Sequence, residues 1–442
     1  MRRGGGPLAT STPGKVFYGW YIVAASLVAL SLGSGFTFWS FSVYIPALED
    51  EFGWSRAEVS VAFSLGLVAS GVSAPFAGRA VDRLGARRVI ALGSIGVLTT
   101  FLLLSQIQNL WQFYIIYTIQ STIQAWSFFL PFQWLLAQWF VRRRGTALGL
   151  ATAGFGVGGS VVFPIVALAI DAFSFRGAYA MSGIVIAAVF LPLCGFVIRN
   201  RPAEMGLLPD GDTADTEIVP SRFYSSPRDW TLGEALRSPL FWMYALPMMF
   251  FFSALISFGV HSVPFFEDRG FSVGEAALFL ALAAVIRTIG RVVAGYVIDR
   301  VDNLVLVAVP IMLLHASVLF VLIASTSPLA IAFFVVGWGL GGSFGPILTP
   351  IVIGRTFGMK SYGGILGTLL FIETLGDVAM PVVGGLIFDA TDSYTIPFTI
   401  YAAMFAVSAV TYVLFFARAA AYRRSVALEE SERLTVADGG IV

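Results

Sequence analysis

Four ionisable side chains stand inside apolar runs of this 442-residue sequence: Arg287 and Arg291 in one, Glu373 and Asp377 in another. Each pair is spaced i, i+4, so each occupies one face of a helix. A charge at the centre of a membrane span costs about 2.5–3.5 kcal/mol on insertion scales. Apolar packing would hold helices together more cheaply. Guanidinium groups are planar forks of donors suited to a carboxylate, and carboxyl groups take up and release protons. The chemistry on offer is therefore anion binding coupled to a proton, or else two internal ion pairs. Counted from Asp299 at 1.5 Å per residue, Arg291 lies roughly 12 Å and Arg287 roughly 18 Å along the helix, bracketing the middle of a ~30 Å hydrocarbon core. Glu373 and Asp377 straddle the centre of their own run.

Other polar groups are weaker candidates. Tyr117, Gln120, Gln124 and Ser127 fall on one face of another apolar run. Buried amides need partners, so this face lines a watery cavity or makes helix–helix hydrogen bonds. His261 is either a proton-sensitive group or an interfacial histidine, and His315 is expected to face neighbouring helices. There is no nucleophile–base pair, so no catalytic residue and no enzyme is expected. Two His and one Cys hold no metal cluster. No cofactor is expected, and no GxxxxGK[ST] segment offers an ATP site.

The elements that carry these groups follow from composition. Apolar residues make up 57% and charged residues 12%, against about 25% charged in soluble domains. Net charge is +1, so nucleic acid is not an expected partner. The class is an all-α membrane protein. Charges, Gly and Pro punctuate twelve apolar runs near 17–44, 57–78, 89–107, 110–138, 145–170, 177–198, 239–266, 273–297, 304–324, 327–352, 362–388 and 394–417. The expected organisation is a cytoplasmic tail over 1–16, a six-helix bundle over 17–198, a cytoplasmic linker over 199–237, a second bundle over 238–417 and a tail over 418–442. The first run is too long and aromatic for a cleaved signal peptide, and Thr231 to Arg237 reads as a short surface helix. With the N-terminus inside, 22 of the 27 Lys and Arg fall in inside segments, against Arg56, Arg176 and Arg269 outside. That asymmetry predicts both termini in the cytoplasm.

The halves repeat. Gly78, Asp82 and Arg83 recur as Gly295, Asp299 and Arg300, offset by 217 residues. Gly145, Gly149, Gly158 and Asp171 recur as Gly363, Gly367, Gly376 and Asp389, offset by 218. Internal repeats of this kind mark transporters, with the substrate near mid-membrane between the halves. An Asp at a helix end can pair with nearby Arg and cap a neighbouring helix. Asp82, Arg83, Asp299 and Arg300 are thus candidate gating residues. The Gly ladders let helices touch backbone to backbone.

Gly78-Arg79-Ala80-Val81-Asp82-Arg83-Leu84-Gly85-Ala86-Arg87-Arg88 resembles the loop 2–3 motif of the major facilitator superfamily. The stretch Trp139-Phe140-Val141-Arg142-Arg143-Arg144-Gly145-Thr146-Ala147-Leu148-Gly149 continues through Leu150-Ala151-Thr152-Ala153-Gly154. It resembles the helix 5 signature of the monocarboxylate transporter branch, which includes the oxalate:formate antiporter group. Gly384-Gly385-Leu386-Ile387-Phe388-Asp389-Ala390-Thr391, with Tyr394, is similar to the end of helix 11 there. The resemblance implies the major facilitator fold, two pseudo-symmetric six-helix bundles, and a helix 8 Arg that binds the substrate carboxylate. Arg291 matches that Arg. Arg287 stands where the family often has Asp, and Ser40-Phe41-Ser42-Val43-Tyr44 lacks the Lys of animal members.

The expected function is secondary active transport of small organic anions, most simply monocarboxylates, with proton coupling at Glu373 or Asp377. Arg291, Arg287, Tyr117, Gln120 and Gln124 are the expected substrate-binding residues. The alternatives are anion-for-anion antiport and export of other small molecules. The expected partners are the anion, a proton and the bilayer of the cell (inner) membrane, with the protein a monomer. A cysteine introduced at position 210 should react with impermeant reagents only from the cytoplasmic side. Labelling from outside intact cells would overturn this topology.

Overall fold

The structure, a computed structural model, describes residues 16–212 and 228–438, with side chains to position 426. Arg2, Arg3, Lys15, Pro220, Arg222, Pro227 and the Arg433 side chain lie outside the described residues. Among the described residues every regular element is helical. α1 (Gly19–Ser34) runs through a π-helical turn (Gly35–Trp39) into α2 (Phe41–Phe52). α3 (Arg56–Leu84) and α4 (Ala86–Leu104) follow, then α5 (Leu110–Ser127) and α6 (Phe129–Trp139). α7 (Arg144–Val157) continues through a second π-helical turn (Gly158–Val162) into α8 (Phe163–Pro192). A short α9 (Leu232–Arg237) leads to α10 (Pro239–Asp268), α11 (Val273–Ile298) and α12 (Val305–Ala324). The last elements are α13 (Pro328–Gly341), α14 (Gly345–Phe357), α15 (Tyr362–Thr391) and α16 (Thr395–Asp438).

Ten runs are long and apolar enough to cross a bilayer as continuous helices. Two features raise ten to twelve. The run Arg144–Val197 has 54 residues, and Ser174 inside it, at φ 60° and ψ 170°, breaks it into two crossings. The remaining crossing is α5, too polar for that count with Gln112, Gln120 and Gln124, continued by α6 after Phe128 at φ −114° and ψ −101°. The twelve helices form two pseudo-symmetric six-helix bundles. Repetition reaches the helix starts. Ser55 and Glu58 close a capping box on α3, and Ser272 and Glu275 close the same box on α11, again 217 residues on.

The bundles meet along two crossings, α3 on α15 and α7 on α11. Gly residues set both. A Cβ at Gly78 would overlap the Gly363 carbonyl, and one at Gly145 would lie 2.5 Å from the Gly295 carbonyl. Further along, Gly71 packs on Thr374 and Gly156 on Thr288. Each crossing is sealed at the linker end by an aspartate from one half on the helix start of the other. Asp82 accepts from the amides of Gly363 and Gly364 at 2.9 and 2.8 Å, and from the Trp134 indole at 3.0 Å. Asp299 accepts from the amides of Gly145 and Thr146 at 2.6 and 2.7 Å, and from the Thr146 hydroxyl at 2.6 Å.

The linker adds a second tier of caps. Asp210, almost fully buried and at φ 59°, accepts from the amides of Val141, Arg142 and Arg143 just before α7. Asp229 accepts from the Met359 amide at 2.8 Å just before α15. Position 210 is therefore spent on structure, and exposed Ala203 suits a labelling probe better.

The backbone crossing generates a prediction. Spin labels at exposed Arg83 and Lys360 report the separation of the halves at the linker end. Gly78→Val should lengthen that distance and slow transport at least tenfold. Gly259→Val, where a Cβ meets nothing within 4 Å, should change neither. An unchanged distance in Gly78→Val would show that the crossing tolerates a side chain.

Candidate functional site

A cavity of about 170 Å³ opens against the inner wall of the first bundle. Ser34, Thr37, Ser70, Tyr117 and Gln124 give it polar lining, and Phe38, Phe63 and Phe155 give it aromatic lining. The π-helical turn after α1 positions Thr37 here, since its extra residue shifts the helix face. Gln124 donates to the Thr37 hydroxyl, which joins α5 to that turn. Trp39 donates to the Phe155 carbonyl at 2.9 Å. Both expectations for this face are met in part: Tyr117 and Gln124 line the cavity, and Gln124 also bonds a neighbouring helix. Gln120 instead lines a separate narrow void with Tyr44, Tyr117 and Tyr179.

Arg291 reaches the same wall from the second bundle. One guanidinium nitrogen donates to the Thr152 carbonyl of α7 at 2.6 Å. Its Cζ lies 5.7 Å from the centroid of the Phe155 ring, within cation–π range. Its Nε is buried without a hydrogen-bond partner. Arg287, one turn toward the far end, also has a buried, unpartnered Nε, packed where Gly342 leaves room. Thus two arginines with unused donors stand at the α7–α11 side of the interface.

Glu373 and Asp377 stand on α15. Glu373 is 6% exposed, and one oxygen of each carboxyl is buried without a partner. Gly376 between them packs against Ser253 of α10. The ion pairs that equal depth allowed do not form: no salt bridge among the described residues joins either arginine to either acid. The reason is the crossing pattern. α11 lies against α7, while α15 lies against α3 and α10, so the cations and the acids belong to different crossings.

The aspartate–arginine pairs expected at the linker end are also corrected. Asp82 and Asp299 cap helices, but Arg83 is exposed and Arg300 stacks on Tyr296, its Cζ 3.3 Å from the ring centroid. Consecutive helical residues point about 100° apart, so an aspartate turned inward turns its neighbour outward. Arg201 and Arg355 are the cations whose fields reach the two aspartates. His261 donates from Nε2 to the Pro381 carbonyl of α15, 2.9 Å away. His315 is fully buried between Phe251, Trp338 and Phe405.

Sequence reasoning missed the Thr152 carbonyl, Phe155 and the caps from Asp210 and Asp229. A backbone carbonyl carries no sequence signal. The Pro209-Asp210-Gly211 turn was a legible cue for Asp210.

Comparison with known proteins agrees with this architecture. The chain is 25% identical over 357 residues to the oxalate:formate antiporter of Oxalobacter formigenes, covering 78% of this chain and 80% of that one. It is 23% identical over 424 residues to monocarboxylate transporter 12 of Rattus norvegicus, covering 88% and 84%. The crystal structure of the transporter FucP in the outward conformation superposes with a TM-score of 0.70 at 13% identity, covering 90% of this chain and 99% of FucP. Residues 27–372 match the model of the Major Facilitator Superfamily. Two six-helix bundles crossing at glycines fit that architecture, and the chain belongs to the Major Facilitator Superfamily.

Proposed function

We propose that this transporter moves small organic anions, a monocarboxylate being the simplest fit, by alternating access with a proton as the coupled ion. One observation carries the reading. Arg291 stands beside the ring that lines the cavity, bonded to Thr152 on one side and with its Nε unused. A carboxylate is the partner that such a fork lacks. Arg287 extends the positive wall, and Tyr117 and Gln124 face the substrate across the cavity, with Gln120 behind Tyr117.

Charge arithmetic gives the coupling. With Arg287, Arg291, Glu373 and Asp377 all ionised, these four deep groups sum to zero. One proton on an acid makes the sum +1, and a monocarboxylate restores neutrality. The loaded carrier then crosses its closed state without a bare charge. Because the acids and arginines do not pair, proton and anion occupy opposite crossings and communicate through the rocking of the halves. Glu373 is the proton site in this reading, with Asp377 the alternative. Asp82 and Asp299 are the gates, released when the linker end opens. That end and both termini face the cytoplasm of the cell membrane, as the basic residues favour, and the protein works as a monomer. The antiporter among the relatives favours a second reading, anion-for-anion exchange without a proton.

Proteoliposome uptake of labelled carboxylates tests these readings. Arg291→Gln should lower kcat/KM about 10- to 100-fold, the loss of a charged hydrogen bond worth ~1.5–3 kcal/mol, at normal insertion. Arg291→Lys should recover only part, because an ammonium lacks the planar fork. Wild-type kinetics in Arg291→Gln would remove Arg291 from the site. An inward pH gradient should accelerate net uptake, and Glu373→Gln should lose that acceleration while keeping exchange. Accumulation that still follows the gradient in Glu373→Gln would shift the role to another group. Strict exchange indifferent to pH would establish antiport instead.

A further inference from the structure

The outer surface of the first bundle carries a groove unrelated to the transport path. It lies between α3, α4 and α5, holds about 380 Å³ and is almost wholly apolar, lined among others by Phe76, Leu84, Leu92, Gly96 and Trp126. Phe76, Leu84 and Leu92 are 54%, 46% and 65% exposed, so the groove opens toward the bilayer. Gly93 and Gly96 give it depth, for Cβ atoms there would meet Ser127 and Ile123. The hydroxyls that border it, Ser73 and Thr122, are spent on carbonyls of their own helices, Ser70 and Thr118. Little in the groove can bond water, and hydrocarbon fits it.

At its linker end the groove runs into a second, polar cavity of about 580 Å³, lined by Arg87, Arg88, Cys194 and Asn200 among others. Leu84 lines both cavities. The α3–α4 corner carries four arginines. Arg79 lies over the Phe76 ring, 5.7 Å from its centroid. Arg87 is fixed, donating to the carbonyls of Cys194 at 2.6 Å and Gly195 at 2.9 Å, while its amide donates to Asn200 at 2.9 Å. Arg83 and Arg88 are exposed. Of the acids nearby, Asp82 is turned away and spent on Gly363, Gly364 and Trp134, while exposed Glu204 accepts from the Asn200 amide at 3.1 Å. A rim of four arginines against one exposed acid, net positive, thus borders an apolar slot of acyl-chain character.

We propose that this corner binds one anionic phospholipid, of the phosphatidylglycerol or cardiolipin class. Its phosphate sits on Arg88, flanked by Arg83 and Arg87, and one acyl chain lies in the groove along α4. A zwitterionic lipid presents the same chain but offsets its phosphate with an ammonium, which four arginines repel. Each basic residue near a membrane surface favours an anionic headgroup by about fivefold.

Native mass spectrometry of the whole protein from mixed micelles tests the site, with phosphatidylglycerol and phosphatidylcholine of identical chains as probes. Wild type should retain phosphatidylglycerol at least fivefold over phosphatidylcholine. Arg88→Ala should cut that preference about fivefold, and Arg83→Ala with Arg88→Ala should abolish it. Arg418→Ala, an exposed cation on α16, should leave it intact. Unchanged melting temperatures would show that these variants fold. No preference in wild type, or an Arg88→Ala effect no larger than that of Arg418→Ala, would overturn the proposal. Soluble glycerol phosphate should not displace the lipid. If it does so fully, the groove holds no chain and the lipid assignment falls.

Discussion

The start of a helix leaves amide groups with no partner inside the helix, and near a bilayer little water is at hand to replace one. This protein meets the need for α7 and α15 from the opposite bundle. Asp299 satisfies Gly145 and Thr146, and Asp82 satisfies Gly363 and Gly364. A carboxylate at a helix N-terminus also gains from the helix dipole. To reach these amides the helices must approach backbone to backbone, which demands Gly78, Gly145, Gly295 and Gly363 at the crossings. The glycine ladders and the conserved geometry of the two crossings follow from that single requirement. The linker aspartates Asp210 and Asp229 reinforce it from below, each on the turn that precedes a capped helix.

Upon this symmetric frame the chemistry is asymmetric. Gly71 meets Thr374 and Gly156 meets Thr288, and at the repeat offsets Gly71 corresponds to Thr288 and Gly156 to Thr374. The same contact is therefore made twice with its partners exchanged. Carried to the ionisable groups, the offsets match Arg291 with Ala74, Arg287 with Ser70, and Glu373 with Phe155. The second bundle carries all four deep charges, and the first answers with small or aromatic residues. The neighbour of Arg291 is Phe155, the counterpart of Glu373, and not Glu373 itself. A two-fold axis separates a group from the copy of its own partner, which keeps the positive and negative groups apart.

Much of this was legible in the sequence. Apolar runs gave the spans, and Ser174 breaks its long helix between the runs expected at 145–170 and 177–198. The short surface helix appears at Leu232–Arg237 with Thr231 as its cap. The repeats marked the residues that cross. Depth along a helix was also readable, because rise per residue is fixed. What escaped was azimuth and partner. Equal depth suggested that the arginines and acids could pair, yet depth says nothing of which crossing a face belongs to. Asp82 and Asp299 can pair with nearby Arg by sequence alone, but helical geometry turns the adjacent Arg83 and Arg300 away. Gln120 shares a helical face with Tyr117 and Gln124, but the ring of Tyr117 stands between it and the larger cavity.

The exchange of aspartates between bundles makes their contact isologous, like that of a two-fold dimer in which residue i meets j and j meets i. Rocking the halves apart at the linker end draws both carboxylates from both helix starts together. A half-released form, with one cap intact, would need the bundles to shear rather than rock. Caps of this kind are worth about 0.5–2 kcal/mol each, so the joint release sets a step of a few kcal/mol with no resting place between. In the cycle proposed above, the motion would thereby be all-or-none. A ligand must supply its differential affinity for the two forms in one instalment, and slack in either cap is felt at once by the other.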